Sequence, residues 1–270
     1  MPTKKQILSA LEHTKRPAVR ITPEPDTTPG PTDSKFGGDY CLPAGADAPE
    51  MEFLAQINFA QLPRLEGFPQ KGLLQFFLCT KEETFEGFLE DDSAWRPDSG
   101  FFQVRWYPEV PADSPAYPNA VPEARWAMDK VTGGMKFSPA EEIATLALGE
   151  EGFFFDLGFE DAITPLTQVF MEKKRGYDLS DCGDTDQFCR DFGNWGFQLG
   201  GHPALRQAEF RLDDEAFQAY TVLLFQYDLT VPDPEDPMDL EKDTFCFFIK
   251  PEDLNACRFD DILMVHHNCY

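Results

Sequence analysis

Two neighbouring stretches decide the fold, Phe53–Pro63 (FLAQINFAQLP) and Lys71–Leu78 (KGLLQFFL). Apolar and bulky residues dominate both stretches, which predicts two β-strands joined by a loop. Polar amides interrupt the apolar runs, Gln56 and Asn58 in the first stretch and Gln75 in the second. Because an amide buried without a partner is costly, we expect these amides to be hydrogen-bonded or to serve a site.

The composition predicts a large apolar core under an acidic surface. The 270 residues include 26 phenylalanines, and the formal net charge is −25. This charge repels phosphate backbones and anionic lipids, so the expected partners exclude nucleic acid and membranes and favour a basic protein. The simpler alternative is that the acidic surface only keeps a Phe-rich protein in solution.

The cysteines and the N-terminus predict a cytoplasmic protein. Seven cysteines are scattered along the chain without a CxxC pair, which indicates reduced thiols. The first residues, MPTKKQILSALEHTKRP, hold a short apolar stretch broken by charges, so we expect no signal peptide. Nor does any run approach the ~20 apolar residues that span a bilayer.

Along the rest of the chain, the patterns predict several strands and a few short helices. Further strands are expected at 101–110, 220–229, 244–249 and 262–266, with 152–155 as a buried strand or a loop. Helices are expected at 4–13, from the capping box at Ser138 to about Leu148, at about 164–174 and 184–192, and as one turn at 251–254. Residues 17–33, rich in proline and threonine, predict a loop or an extended arm.

A weak internal repeat organises the chain. In the same order, three segments match three later ones: Gly37–Leu42 with Gly200–Leu205, Phe53–Asn58 with Leu223–Asp228, and Phe76–Leu78 with Phe247–Ile249. Similar units commonly pack about a pseudo-twofold axis, which would bring Gln56 near Gln226 and Asn58 near Asp228. The repeat predicts an internal duplication.

The predicted fold is α+β and β-dominated, a single compact domain built from two weakly similar β-rich units with short helices. The expected boundaries are an N-terminal helix and Pro-rich arm at 1–33 and one domain at 34–270. Within the domain we expect a first copy at about 34–90, a middle segment at about 91–196, a second copy at about 197–255 and a C-terminal strand at 256–270.

The candidate site lies between the two copies. Its residues would be Gln56, Asn58, His202, Gln207, Gln226 and Asp228. The amides either satisfy one another and the backbone in a buried network or line a ligand pocket. His202 follows two glycines and precedes a proline, which suits a ligand contact or a general base. A turn histidine is the simpler alternative, because no Ser, Cys or acid is tied to it by sequence.

Neither a metal nor a cofactor is expected. His266 and His267 stand near Cys257 and Cys269, but neighbouring residues on a strand point to opposite faces, and zinc sites usually show close ligand pairs. The chain holds no P-loop, dinucleotide fingerprint, nucleophile elbow or HExxH motif, so no catalytic residue is assigned.

The same motifs carry a family resemblance. They are KFGG at 35–38, FLAQINFAQLP at 53–63, FPQKGLLQFF at 68–77, FQVRWYPEV at 102–110, FQLGGHPALRQ at 197–207, LLFQYDL at 223–229 and FFIKPEDL at 247–254. Together they resemble the YwqG-like family of bacterial proteins, from about Ser34 to the C-terminus. The resemblance implies a β-rich α+β domain and no established activity. This chain departs from the family at His202, where the family tends to have tyrosine, and at 238–243, where a glycine turn is usual.

Three hypotheses follow for the function, and the third is a purely structural scaffold whose amides serve the fold alone. The leading one is a non-enzymatic binding protein for a protein partner or a small ligand, such as an immunity or inhibitor protein against a basic partner. The alternative is an enzyme of unknown class with its site around His202. Residues that converge on one open pocket would favour the enzyme, whereas buried and satisfied amides would favour the binding protein.

Overall fold

Strands dominate the structure. The computed structural model describes residues 4–79, 94–110, 114–119, 131–149, 152–159, 161, 192–205, 209–212, 214–229 and 243–267. In this part of the chain the helices are few and short, so the β-dominated α+β class is confirmed. None of the helices described is both long and apolar enough to cross a membrane.

The elements follow one another with short connections in the described ranges. The strands are Arg16–Glu24 (β1), Lys35–Phe36 (β2), Tyr40–Cys41 (β3), Glu52–Asn58 (β4), Leu73–Leu78 (β5), Ala94–Trp95 (β6), Phe102–Tyr107 (β7), Ala116–Tyr117 (β8), Gly133–Glu142 (β9), Leu146–Gly149 (β10), Gly152–Phe155 (β11), Phe197–Gly200 (β12), Val222–Asp228 (β13), Thr244–Ile249 (β14) and Ile262–His267 (β15). The α-helices are Lys4–Leu11 (α1) and Pro251–Asn255 (α2), and the 3-10 turns are Glu12–Thr14, Phe59–Gln61, Pro97–Ser99 and Phe210–Leu212.

The chain divides into two compact units. The His202 unit comprises residues 1–20, 139–248 and 265–270, and the Lys35 unit comprises residues 21–138 and 249–264. Four long strands, β1, β9, β14 and β15, contribute residues to both units. The first predicted copy falls in the Lys35 unit, and most of the second falls in the His202 unit.

In the Lys35 unit the strand order is β9-β2-β4-β5-β7. Strands β4 and β5 pair antiparallel from Glu52 opposite Leu78 to Asn58 opposite Leu73. Every residue of β5 is buried, which explains why Gln75 is its only polar residue. The predicted strand, loop and strand over these residues are therefore confirmed, as is the strand at β7.

In the His202 unit the strand order is β14-β13-β12-β1-β9. All of β14 and all but the first residue of β13 are buried. The rings of Phe225 and Phe247 stack with their centroids 6.2 Å apart, so facing aromatic side chains fill this core. Strands β10 and β11 form a hairpin, so of the two alternatives at 152–155 the strand is the one present. The strands predicted at 220–229, 244–249 and 262–266 are confirmed as well.

The predicted helix from Ser138 to about Leu148 is wrong. This segment holds the end of strand β9, residues 143–145 without regular structure, and most of strand β10. The Ser-Pro-Ala-Glu motif has the composition of a capping box, but it lies inside β9. Pairing with neighbouring strands overrides this local helix signal.

Strand β1 was not predicted, although it is one of the longest strands described. Its prolines, Pro17 and Pro23, gave the segment the composition of a loop. Ala18, Val19 and Ile21 are buried, so the strand belongs to the core. The helices at 4–13 and 251–254 are confirmed, whereas the helices predicted at 164–174 and 184–192 lie outside the described residues, apart from Phe192.

Candidate functional site

Gln226 ties strand β13 to the segments around the glycine turn Gly200–Gly201. Its Oε1 accepts a hydrogen bond from the backbone N–H of Ala204 at 2.7 Å. Its Nε2 donates to the carbonyls of Asn194 at 3.0 Å and Gly196 at 2.7 Å. The side chain has no exposed surface, so a fully buried amide is satisfied within the His202 unit.

Gln56 makes the same contacts in the Lys35 unit. Its Oε1 accepts from the backbone N–H of Cys41 at 3.0 Å, and its Nε2 donates to the carbonyls of Pro31 and Asp33, both at 2.7 Å. Gln75 donates a further bond to this Oε1 at 3.0 Å. The buried amide of Gln56 is therefore hydrogen-bonded within one unit, where it holds the backbone around a turn.

The two networks correspond in the register that aligns Gly37–Gly38 with Gly200–Gly201. Both glycine pairs are left-handed, with φ of 48° and 64° in the first and 67° and 70° in the second. Lys35 lies opposite Gln56 across β2 and β4, as Gln198 lies opposite Gln226 across β12 and β13. This correspondence matches the repeat in the sequence, and the duplication itself stays a prediction.

The two other residues of the predicted site also bind local groups. Asn58 accepts from the backbone N–H of Ala60 at 3.1 Å and so caps a 3-10 turn. Asp228 accepts from the backbone N–H of Gly196 at 2.6 Å and from the hydroxyl of Thr244 at 2.8 Å. Both side chains therefore order the ends of strands.

His202 lies in a buried ionic network. Its Nδ1 is 2.6 Å from Oδ2 of Asp156, and its Nε2 is 2.8 Å from the carbonyl oxygen of Thr14. Both ring nitrogens therefore face an oxygen atom within hydrogen-bond distance. The ring is 0% exposed and packs edge-on against Phe159. Gln207, the remaining predicted site residue, lies outside the described residues.

Asp156 is the anion that this network surrounds. Its Oδ1 accepts from Nη2 of Arg211 at 2.6 Å, and its Oδ2 is 3.4 Å from Nη1 of Arg16. Burial acts to raise the pKa of Asp156. Arg211, His202 and Arg16 together outweigh that effect, so the pKa lies below its ordinary value.

Arg211 is buried with its charge fully matched. Its guanidinium binds Glu209 through Nε at 2.8 Å and Nη2 at 2.6 Å, and Nη1 donates to the carbonyl of Tyr220 at 3.0 Å. The same group lies 3.9 Å from the ring centroid of Phe248. Burial acts to lower the pKa of Arg211, but Glu209 and Asp156 hold it above its ordinary value.

A carboxylate fills the space at the Gly200–Gly201 turn. Oε2 of Glu142 accepts from Nε2 of Gln198 at 3.0 Å and from the backbone N–H of His202 at 3.1 Å. Its Oε1 lies 2.6 Å from Nε of Arg20. Burial raises the pKa of Glu142 in spite of Arg20. A Cβ atom on Gly201 would collide with this carboxylate, so the turn is closed.

The corresponding turn of the Lys35 unit is open. Nζ of Lys35 donates to the carbonyl of Asp39 at 3.2 Å, as Nε2 of Gln198 donates to the carbonyl of His202 at 2.7 Å. A Cβ atom on Gly38 would meet nothing within 4 Å. Lys35 is only 4% exposed, and burial lowers its pKa against the opposing effect of nearby acids and a thiol.

Two grooves flank loop 25–34 of the Lys35 unit. The larger, about 610 Å³, is lined by residues that include Glu24, Thr27, Thr28, Gln61, Met135 and Lys136. The smaller, about 330 Å³, is lined by residues that include Thr28, Pro31, Lys35, Gly37, Gly38 and Asp39. None of the predicted site residues that the structure describes lines either groove.

The histidine pair at the end of β15 is accounted for by other contacts. Nε2 of His266 lies 2.6 Å from Oδ1 of Asp243, and its ring stacks on Phe245. The ring of His267 stacks on Phe210. Among the described residues, no three His, Cys, Asp or Glu side chains come close enough to hold a metal ion.

Sequence reasoning missed the acids and arginines around His202, and it did not single out Lys35. Asp156, Arg211 and Glu142 are separated from His202 by stretches of chain that form no motif. Lys35, in contrast, could have been identified from the internal repeat. The repeat alignment places it at the position of Gln198, so a cation replaces an amide in otherwise matched surroundings.

Replacing the buried amides will destabilise each unit. Gln226→Ala leaves the N–H of Ala204 and two carbonyls unpaired, so we expect a loss of about 2–4 kcal/mol in the free energy of unfolding. Gln56→Ala should cost a similar amount. Urea unfolding measures both. Gln70→Ala removes an exposed amide and is the control, with an expected change within about 0.5 kcal/mol. A loss of that small size for Gln226→Ala would contradict the assigned network.

The two glycine turns should respond differently to alanine. Gly38→Ala and Gly201→Ala both place a Cβ at positive φ, which costs about 1–2 kcal/mol. Gly201→Ala must also displace the carboxylate of Glu142, so we expect a further loss of about 1–3 kcal/mol. Urea unfolding of the two variants tests the contrast. Equal losses would show that the two turns do not differ in the room above them.

Acid should weaken the network around Asp156. A carboxyl whose pKa is lowered on folding contributes stability above its unfolded pKa, near 3.8, and loses it as pH falls through the lower folded value. Wild type should therefore lose stability below about pH 4 more steeply than Asp156→Asn. At pH 7 that variant should be about 3–5 kcal/mol less stable, because buried cations lose their partner. Parallel acid profiles in urea unfolding would refute this role.

The comparisons with known proteins give a family for most of the chain. Residues 34–269 match the family described as Domain of unknown function (DUF1963). No match was found among curated proteins. Because the match covers far more than half of the 270 residues, the chain belongs to the DUF1963 family.

Proposed function

We propose that this chain is a non-enzymatic binding protein whose site is the face of the Lys35 unit that carries loop 25–34. One observation carries the proposal, the contrast between the two glycine turns. The turn at Gly200–Gly201 is filled by the side chain of Glu142, whereas the turn at Gly37–Gly38 opens on a groove of about 330 Å³. Grooves of this size hold small ligands or a short peptide segment.

The enzyme alternative around His202 has weaker support. A general base needs a ring nitrogen that faces the proton it removes. Both nitrogens of His202 are engaged, with Asp156 and with the carbonyl of Thr14, and the ring is fully buried. Catalysis at this residue would first require one of these bonds to break and the ring to become exposed.

The proposed partner is a basic protein, and an immunity or inhibitor role is one version of it. The net charge of −25 supports this choice, since it attracts a cationic partner over long distances. A small ligand is the alternative occupant. The same charge supports the exclusion of nucleic acid and membranes as partners.

Location and subfamily belong to the same proposal. We place the protein in the bacterial cytoplasm, and the free thiols of Cys41, Cys79, Cys246 and Cys257 are in keeping with a reducing compartment. The motifs from 35 to 254 support a YwqG-like member of the family.

Small organic probes will locate the site. We expect 2-propanol and N-methylacetamide, added to the full-length ¹⁵N-labelled protein, to shift the backbone amides of Thr27, Gln61 and Met135 and to leave those of Gly201 and His202 unchanged. Thr28→Trp should abolish the shifts, because Thr28 lines both grooves and is exposed.

Thr22→Trp is the matched control, since Thr22 is an exposed threonine that lines neither groove. It should leave the probe-induced shifts in place. Shifts that gather at the His202 turn, or shifts that survive in Thr28→Trp, would overturn the proposed site.

A further inference from the structure

We propose that the groove beside Gly37–Gly38 binds a carboxylate group, at the position that the carboxylate of Glu142 takes at Gly200–Gly201. The inference rests on the proposed function and names the chemistry of its ligand. Its basis is a comparison of two turns in one chain, one holding its carboxylate and the other open.

The donors for a carboxylate are present at both turns. Oε2 of Glu142 accepts from the side chain of Gln198 and from the backbone N–H of His202. The corresponding donors in the Lys35 unit are the ammonium of Lys35 and the backbone N–H of Asp39. Among the described residues, Lys35 forms no ion pair, and the backbone N–H of Asp39 donates no hydrogen bond.

Each turn offers one positive charge to an anion, Arg20 at the closed turn and Lys35 at the open one. The carboxylate of Glu142 meets a neutral amide and takes its counter-charge from Arg20, 2.6 Å away. At the open turn Lys35 supplies the positive charge itself. A carboxylate here would form a charge-assisted hydrogen bond to a nearly buried ammonium and offset the desolvation of that group.

The groove has room for the rest of the ligand. No atom lies within 4 Å of the position of a Cβ on Gly38, and Gly38 and Asp39 are exposed. Pro25, Pro29 and Pro31 offer apolar surface for an aliphatic stem. A small acid or the last residues of a peptide would fit into about 330 Å³.

Three described acids lie on this face, and none of their carboxylates is hydrogen-bonded to Nζ of Lys35. Asp33 accepts from the backbone N–H of Gly30 and from Nε2 of Gln61, both at 2.7 Å. Asp39 lines the groove, and its side chain is exposed to solvent. Glu24 ends strand β1 as Glu142 ends β9, but it lines the larger groove and is the internal competitor that a test must exclude.

The test is an NMR titration of the full-length protein at constant ionic strength and pH 7. The probes are acetate, its neutral isostere acetamide, and N-acetylglycylglycine, which carries a peptide carboxylate. We expect acetate to shift the amides of Gly38 and Asp39 saturably, with a Kd of about 1–50 mM, and acetamide to bind at least ~10-fold more weakly.

The variant Lys35→Gln removes the charge and keeps the residue type that the other turn uses, so it should fold. We expect this variant to bind acetate about tenfold more weakly, because a charge-assisted hydrogen bond is lost. Lys71→Gln removes an exposed charge in the same unit and should leave acetate affinity unchanged. Glu24→Gln should also leave it unchanged.

Each outcome decides the inference. Absence of a saturable shift, equal binding of acetamide, or unchanged affinity in Lys35→Gln would overturn it. An increase of more than about threefold in Glu24→Gln would overturn it too, because Glu24 would then be the natural occupant. If N-acetylglycylglycine binds at least ~10-fold more tightly than acetate, the carboxylate is a chain terminus, and otherwise it is a small acid.

The two proposals fail separately. If 2-propanol and N-methylacetamide shift the groove residues but acetate does not bind, the carboxylate inference falls and the binding face stands. If neither class of probe acts on the Lys35 unit, both proposals fall.

Discussion

The buried glutamine amide is the interaction on which the rest of this structure depends. Beside each left-handed glycine turn, several backbone N–H and C=O groups are hydrogen-bonded to the side chain of one glutamine. One primary amide has two donors and one acceptor, and it reaches backbone groups on both sides of the turn. Gln56 and Gln226 each do this without exposed surface. They thereby fix where the next residues, Asp39 and His202, present their backbone.

Structural features that follow from local sequence patterns, or from patterns that occur twice, could be predicted from the sequence. The strands that carry Gln56 and Gln226 follow from their apolar runs, and the matched glycine pairs follow from the repeat. Strand β1 and the segment after Ser138 could not be predicted in the same way. Their structure is set by pairing with strands remote in sequence, which overrides the proline content of one and the capping motif of the other.

The site was harder to predict than the fold, because the chemistry of a side chain depends on which of its polar atoms are already hydrogen-bonded in the fold. His202 attracted attention as the residue type that suits a base. Its partners, Asp156 and the carbonyl of Thr14, lie 46 and 188 residues away, and no motif links them to it. Only the fold shows that both ring nitrogens are engaged. Lys35 could have been singled out from the repeat, where it replaces Gln198.

The two turns differ in a way that stability alone does not explain. Among the described residues, the nearly buried ammonium of Lys35 has no ion pair, which costs free energy, and a chain with a net charge of −25 has acids in excess to place beside it. The turn at Gly200–Gly201 shows that this fold can supply one, since Glu142 binds there and is itself matched by Arg20. At Lys35 the fold keeps the donors and the positive charge but leaves the carboxylate's place open to solvent. A cost of this kind beside a groove supports the proposed binding site for an external anion.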